Sequence, residues 1–118
     1  MTILKNILEL AKIKKTKHKR SSKWPKVREE HLKLNPTCAV CGGIDSVEVH
    51  HIIPFSVNPE LELDKNNLVT LCESASHGII CHMCIGHNGN YRDSNPNVIK
   101  DAEYIREMLK RKDRKIFK

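Results

Sequence analysis

Apolar residues at Ile3, Ile7, Leu10 and Ile13 recur at helical spacing, with lysines between them, and predict a basic amphipathic helix over residues 2–20. Past Lys14 this stretch is nearly all charge. Pro25 suits a helix first turn, and the spacing predicts a second helix over Pro25–Leu34 that stops before Asn35-Pro36. Trp24, at its entry, reads as the anchor that packs it on the core. Val47-Glu48-Val49-His50 alternates as a strand does, and His51-Ile52-Ile53 carries it to a stop at Pro54. Residues 55–66 form a polar loop; Asn67–Cys72 reads as a turn followed by a second strand or a helix start. Glu73–Gly78 is a loop, Cys81–Gly86 a short helix and Asn88-Gly89-Asn90 a turn. A last helix is expected over Asn97–Lys112, capped near Asn95 with Pro96 at its entry.

The pattern therefore divides the chain into a basic helical arm (1–35), a mixed core (36–95) and a basic helix (96–118), in the α+β class. With 118 residues, 4% aromatics and 30% charged residues, apolar burial alone is a weak source of stability. Five cysteines make a metal the first candidate for a staple. Disulfides would need an oxidising compartment, yet the opening residues lack the apolar region and cleavage site of a signal peptide. No stretch is apolar enough to span a membrane, and a cytoplasmic location is expected. The N-terminal helix could lie on a membrane surface, but its apolar face is short and lacks aromatics.

The net charge of +7 is unevenly spread. Residues 1–35 hold eleven Lys or Arg against three Asp or Glu, residues 36–95 two against seven, and residues 96–118 eight against four. Basic arms around an acidic, Cys/His-rich centre suit a polyanion such as DNA or RNA. Lys14, Lys15, Lys17, Lys19 and Arg20 are the arm residues expected to contact it.

Cys38-x2-Cys41 has the spacing of half a tetrahedral zinc site, and Cys72, Cys81 and Cys84 compete for the other half. Spacing alone favours Cys81 with Cys84, which repeat the two-residue gap. His50 and His51 sit at the end of a strand-like run, where neighbouring side chains face opposite ways. One imidazole can then bind an ion while the other faces a separate water, and His82 and His87 follow downstream. His18, His31 and His77 are expected to be solvated.

Four pieces in this order resemble the HNH endonuclease family: Cys38-Ala-Val-Cys41-Gly42, Val47-Glu-Val-His50-His51-Ile-Ile-Pro54, Asn66-Asn67-Leu-Val-Thr-Leu-Cys72, and Cys81-His82. The stretch WPKVREEHLKLNPTCAVCG resembles the lead-in helix of bacterial and phage members, and GHNGNYRDSNPNV resembles small members with an expanded loop between cysteines. The resemblance implies a small ββα-metal (His-Me finger) core with a structural zinc knuckle, flanked by N- and C-terminal helices. It implies His51 as general base, His50 and His82 as ligands of a catalytic ion with His87 as a third, and Asn67 as the residue that fixes the loop or orients the base. It selects Cys38, Cys41, Cys72 and Cys81 for structural Zn²⁺, leaving Cys84 outside. Two departures stand out. Eight residues separate Cys72 from Cys81, where many members have two, and His82 and His87 are five apart, where some have four. Five residues of regular helix place two side chains about 140° apart, so a break is required, and Gly86 could supply it.

The function implied is metal-dependent hydrolysis of DNA phosphodiester bonds, with one catalytic divalent ion (Mg²⁺, Mn²⁺, Ni²⁺ or Zn²⁺) and no small-molecule cofactor or membrane partner. Arg92 could polarise the phosphate. The alternatives are a non-catalytic zinc-stabilised nucleic-acid-binding module and a thiol redox protein, the latter lacking the βαβ context it needs. A bacterial cell or a phage-infected host is the expected setting.

Overall fold

The computed structural model describes residues 19–74 and 80–116. The arm helix expected over 2–20, with Lys14, Lys15, Lys17 and His18, lies outside them except for its last two residues, as does His77.

Helix α1 (Trp24–Leu34) begins one residue before the predicted start and carries Pro25 in its first turn. It ends where Asn35 donates from both its backbone and its side chain to the His31 carbonyl, at 2.8 and 3.2 Å. Strands β1 (Val47–His51) and β2 (Leu68–Cys72) pair antiparallel, with His51 opposite Leu68 and Val47 opposite Cys72. The choice left open at Asn67–Cys72 is settled as a strand. All five β2 residues are buried, and Leu-Val-Thr-Leu-Cys suits a strand covered on both faces. The loop between the strands is built from two short 3₁₀ turns, Pro59–Leu61 and Lys65–Asn67.

Helix α2 (Val98–Ile116) runs four residues past the predicted end, because the sequence beyond Lys112 holds no glycine or proline to stop it. Val98 and Ala102 are buried, Ile105 and Leu109 partly so, and these form the stripe that meets the core. Asn95 organises its start: Oδ1 accepts from the Asn97 amide (3.0 Å), and Nδ2 donates to Asp101 (2.8 Å) and to the Ile85 carbonyl (3.0 Å).

The buried cluster consists of Cys38, Val40, Val69, Leu71, Cys72, Cys81, Val98 and Ala102. Three of these eight are cysteines, so thiols fill a large part of what is a very small core. His31, expected in solvent, is half-buried on the inner side of α1, and that burial pushes its pKa down. Among the described residues no helix is long and apolar enough to cross a membrane. Two antiparallel strands, a following helical turn and a thiol cluster make a small α+β unit consistent with the ββα-metal fold.

Candidate metal centres and active site

The knuckle Cys38–Gly43 is a closed turn. The Gly42 amide donates to the Cys38 carbonyl (2.9 Å), the Cys38 amide to the Gly43 carbonyl (2.8 Å), and the Gly43 amide points at Cys41 Sγ (3.4 Å). Gly42 has φ +77°, a left-handed backbone that favours glycine. The turn faces the end of β2, where Cys72 Sγ lies 3.8 Å from Cys41 Sγ. A tetrahedral ion with metal–sulfur bonds of about 2.3 Å spaces its sulfurs about 3.8 Å apart, whereas a disulfide would need about 2.05 Å. Cys38, Cys41, Cys72 and Cys81 offer four sulfurs that all lie within 4.8 Å of one another. A hydrogen bond from Cys81 draws the Cys38 thiol down to about 4, burial pushes Cys41 up to about 11, and the same Cys38–Cys81 bond pushes Cys81 up. One negative charge thus forms easily and the next are resisted, which is the state a bound dication relieves. Cys84, favoured by spacing alone, stands apart, facing a cavity beside Ile85, Asn95 and Tyr104.

The second cluster is made of imidazoles. His50, His82 and His87 each offer a nitrogen within 4.8 Å of the others. His82 Nε2 is 3.0 Å from His50 Nδ1 and 3.2 Å from His87 Nε2. The outer partners decide which nitrogens carry protons. His87 Nδ1 faces the Asp93 carbonyl at 2.8 Å, and His82 Nδ1 faces the Glu73 carboxylate. Both oxygens only accept, so each Nδ1 holds a proton, and in the neutral ring that a metal ligand requires each Nε2 is a bare lone pair. Two lone pairs facing each other at 3.2 Å cannot hydrogen-bond. Ligand nitrogens about 2.0–2.1 Å from a tetrahedral ion would lie about 3.3 Å apart, so the donor set fits a divalent cation. His50 is buried, and that burial, with the neighbouring His82 and His87, lowers its pKa to about 3. It therefore stays neutral, as a ligand must.

Local structure explains the five-residue spacing. The short helix expected over Cys81–Gly86 is present, and its residues His82–Gly86 form a π-helical turn. A π turn closes with i→i+5 hydrogen bonds, so residues five apart return to nearly the same face. The helix ends at Gly86, as the five-residue count required, and His87, just past it, meets His82. Gly86 stands at that helix end and has a further role: a Cβ there would sit 2.9 Å from Leu71 Cδ1 and 3.2 Å from His50 Cε1. Its bare backbone gives the His50 ring its seat.

His51, next on β1, goes the other way. Its ring lies 4.4 Å from that of Trp24, and Nε2 donates to the Glu62 carbonyl at 2.9 Å. The proton is thereby placed on Nε2 and Nδ1 is left as the acceptor. Burial lowers the His51 pKa, with a smaller push from Arg20. Asn67 pins the loop that carries this carbonyl: Nδ2 donates to Leu61 (3.2 Å) and Ile53 (3.0 Å), and Oδ1 accepts from the Ile53 amide (2.8 Å). A cavity of about 250 Å³ is lined by His50, His51, His82 and His87 together with Arg20 and Phe55.

Of the proposed nucleic-acid contacts, Arg20 lines this cavity, Lys19 and Arg92 are exposed, and Arg92 takes no part in the lining. Glu73, Tyr91 and Glu62 were not anticipated. Partial burial pushes the Glu73 carboxyl up, but hydrogen bonds from His82 and from the Tyr91 hydroxyl (2.8 Å) outweigh it and hold it low. Only its place directly after Cys72 could have marked it in advance.

No curated protein matches the chain, and no solved structure does. Cys38, Cys41, His50, His51, Asn67, Cys72 and Glu73 fall within residues 38–75, the segment that matches the family model of the HNH endonucleases.

Proposed function

We propose that the protein is a metal-dependent endonuclease that hydrolyses DNA phosphodiester bonds. The observation that carries this reading is a division of labour between two adjacent histidines. His50 joins two other imidazoles whose lone pairs converge, while His51 turns away with its proton fixed on Nε2 by a carbonyl. The family match over residues 38–75 supports it.

In this reading Cys38, Cys41, Cys72 and Cys81 hold structural zinc, and His50, His82 and His87 hold a divalent ion. That ion, when bound, supplies charge stabilisation at a non-bridging phosphate oxygen and at the departing 3′ oxygen. His51 Nδ1 accepts a proton from water as the water oxygen attacks phosphorus. The P–O3′ bond breaks, the 3′ oxygen takes a proton from solvent, and the ends are 5′-phosphate and 3′-hydroxyl. Asn67 holds the loop whose Glu62 carbonyl aims His51, and Trp24 covers the ring's flank. Lys19 and the arm lysines Lys14, Lys15 and Lys17 attract the DNA backbone.

The test is plasmid nicking across Mg²⁺, Mn²⁺, Ni²⁺ and Zn²⁺. His51→Ala should lower the rate by about 10²–10⁴-fold, as for loss of a general base, with zinc content and fold unchanged. A wild type that binds DNA but cuts none with any ion would instead be a zinc-stabilised binding module.

A further inference from the structure

Arg20 sits where an arm residue would not need to be. It lines the histidine cavity, and its guanidinium carbon lies 4.6 Å from the centre of the Phe55 ring. Its Nη1 is 3.5 Å from Oε2 of Glu62, a nearly buried carboxylate whose other oxygen accepts from the Ser21 amide at 3.0 Å. Oε2 has no hydrogen-bond partner among the described residues, so the pairing is a loose, single-point ion pair. A guanidinium has five donors in a planar fork, and this contact leaves most of them unused. The side chain is about half exposed (55%), and Arg20 is the one Lys or Arg among the described residues that line the cavity. The surrounding residues 36–95 hold two basic residues against seven acidic ones, so a phosphodiester entering here meets few other cations of the chain.

Resting on the nuclease reading, we propose that Arg20 is a catalytic residue of the same site. Its guanidinium, held by Phe55 and Glu62, donates to a non-bridging oxygen of the scissile phosphate. Stacking on Phe55 fixes the plane of the fork, and Glu62 keeps it beside His51 in the absence of DNA. Because the Glu62 carbonyl also aims His51, one residue sets the positions of both the base and the phosphate donor. The arginine then acts on charge that builds on the phosphate oxygens during attack, which is where a preorganised donor is most effective.

The experiment compares wild type with Arg20→Ala, Arg20→Lys, Arg20→Ala/Glu62→Gln and, as a charge-matched control, Lys100→Ala. Each is assayed with Mn²⁺ on supercoiled plasmid and on bis(4-nitrophenyl) phosphate, a single diester too small to reach the arms. Arg20→Ala should lower kcat by about 10²–10³-fold on both substrates, as for loss of one oxyanion donor, with zinc content unchanged. Arg20→Lys should recover only part of this, since an ammonium lacks the fork. Lys100→Ala should leave the small diester untouched. A loss confined to the plasmid, expressed in KM, would overturn the proposal in favour of general attraction by the arm. Recovery of wild-type kcat in Arg20→Ala/Glu62→Gln would also overturn it, by tracing the loss to a stranded buried carboxylate. A wild type that cleaves neither substrate with Mn²⁺, Mg²⁺, Ni²⁺ or Zn²⁺ removes the nuclease reading itself, and this role with it.

Discussion

Glu73 illustrates how one side chain can fix the chemistry of another. A neutral imidazole places its single proton on either nitrogen, and only the tautomer with Nδ1–H leaves His82 Nε2 free for an ion. The Glu73 carboxylate selects that tautomer, and the Tyr91 hydroxyl, at 2.8 Å, holds the carboxylate in turn. Glu73→Leu should therefore weaken Mn²⁺ or Ni²⁺ binding at the histidines by about 10–100-fold, the usual cost of losing such an outer partner. Glu73→Gln, which keeps an accepting oxygen, should retain most of the affinity; calorimetric titration of the zinc-loaded protein distinguishes them. Equal loss in both variants would mean that the charge, and not the tautomer, matters. His51 gives a second test at this scale. In the proposed role of base it works only when unprotonated, and its pKa is lowered from 6.5. It thus stays neutral further into acid than a free histidine, and the acid limb of the cleavage profile should fall below pH 6.5. A limb centred above that value would contradict the burial of His51 against Trp24.

The π turn at His82–Gly86 shows what an element contributes beyond its residues. Five-residue spacing between the two histidines implied that a regular helix must end or bend between them, and the chain does so with a π turn that stops at Gly86. Nothing local in His-Met-Cys-Ile-Gly announces a π turn. It is selected by what the turn must join: Cys81 at its start to the thiol cage, and His82 with His87 to His50 on β1. Strand β1, by contrast, was legible because Val47–His51 alternates, whereas Leu68–Cys72, apolar but for Thr70, left strand and helix start equally open. The opposite facing of His50 and His51 followed from strand geometry alone. Cys72 was selected over Cys84 by resemblance, not by spacing, since spacing cannot show that β2 delivers residue 72 to the knuckle. Glu73, Tyr91 and Glu62 were invisible for the same reason: their partners are nine to forty-one residues away in sequence. Gly86 supplies the element-scale prediction. Alanine would improve local helix propensity, yet its Cβ would press on Leu71 and the His50 ring. Gly86→Ala should lower stability by about 1–3 kcal/mol and displace His50, weakening ion binding while the thiol site keeps its zinc. Thermal melts paired with metal titration check this, and a stabilised variant with intact ion affinity would show that the seat is looser than these distances indicate.

At the scale of the whole molecule, the proposed function makes the histidine cluster depend on the thiol cluster, and not the reverse. Cys72 is followed directly by Glu73, the partner of His82, and Cys81 directly by His82 itself, so the chain leaves the thiol cage twice and each time reaches the histidine cluster or its outer partner at the next residue. The apolar residues of the core are few, and three of its eight members are cysteines. A core of that composition, once stripped of its ion, holds little apolar contact to oppose the chain entropy released on unfolding. Removing zinc should therefore abolish binding at the histidines as well. Removing the histidine-bound ion should leave the fold in place, because Val98, Ala102 and the thiol cage do not depend on it. Cys38→Ser should lose cooperative thermal unfolding and, with it, Mn²⁺ binding. Cys84→Ser, outside the cage, should keep one zinc per chain and lose about 1 kcal/mol or less. His82→Ala should bind no catalytic ion yet melt cooperatively with its zinc retained. If His82→Ala instead releases zinc, or Cys38→Ser still binds Mn²⁺, the hierarchy is wrong. The histidine cluster would then be as much a staple of the fold as the cysteines.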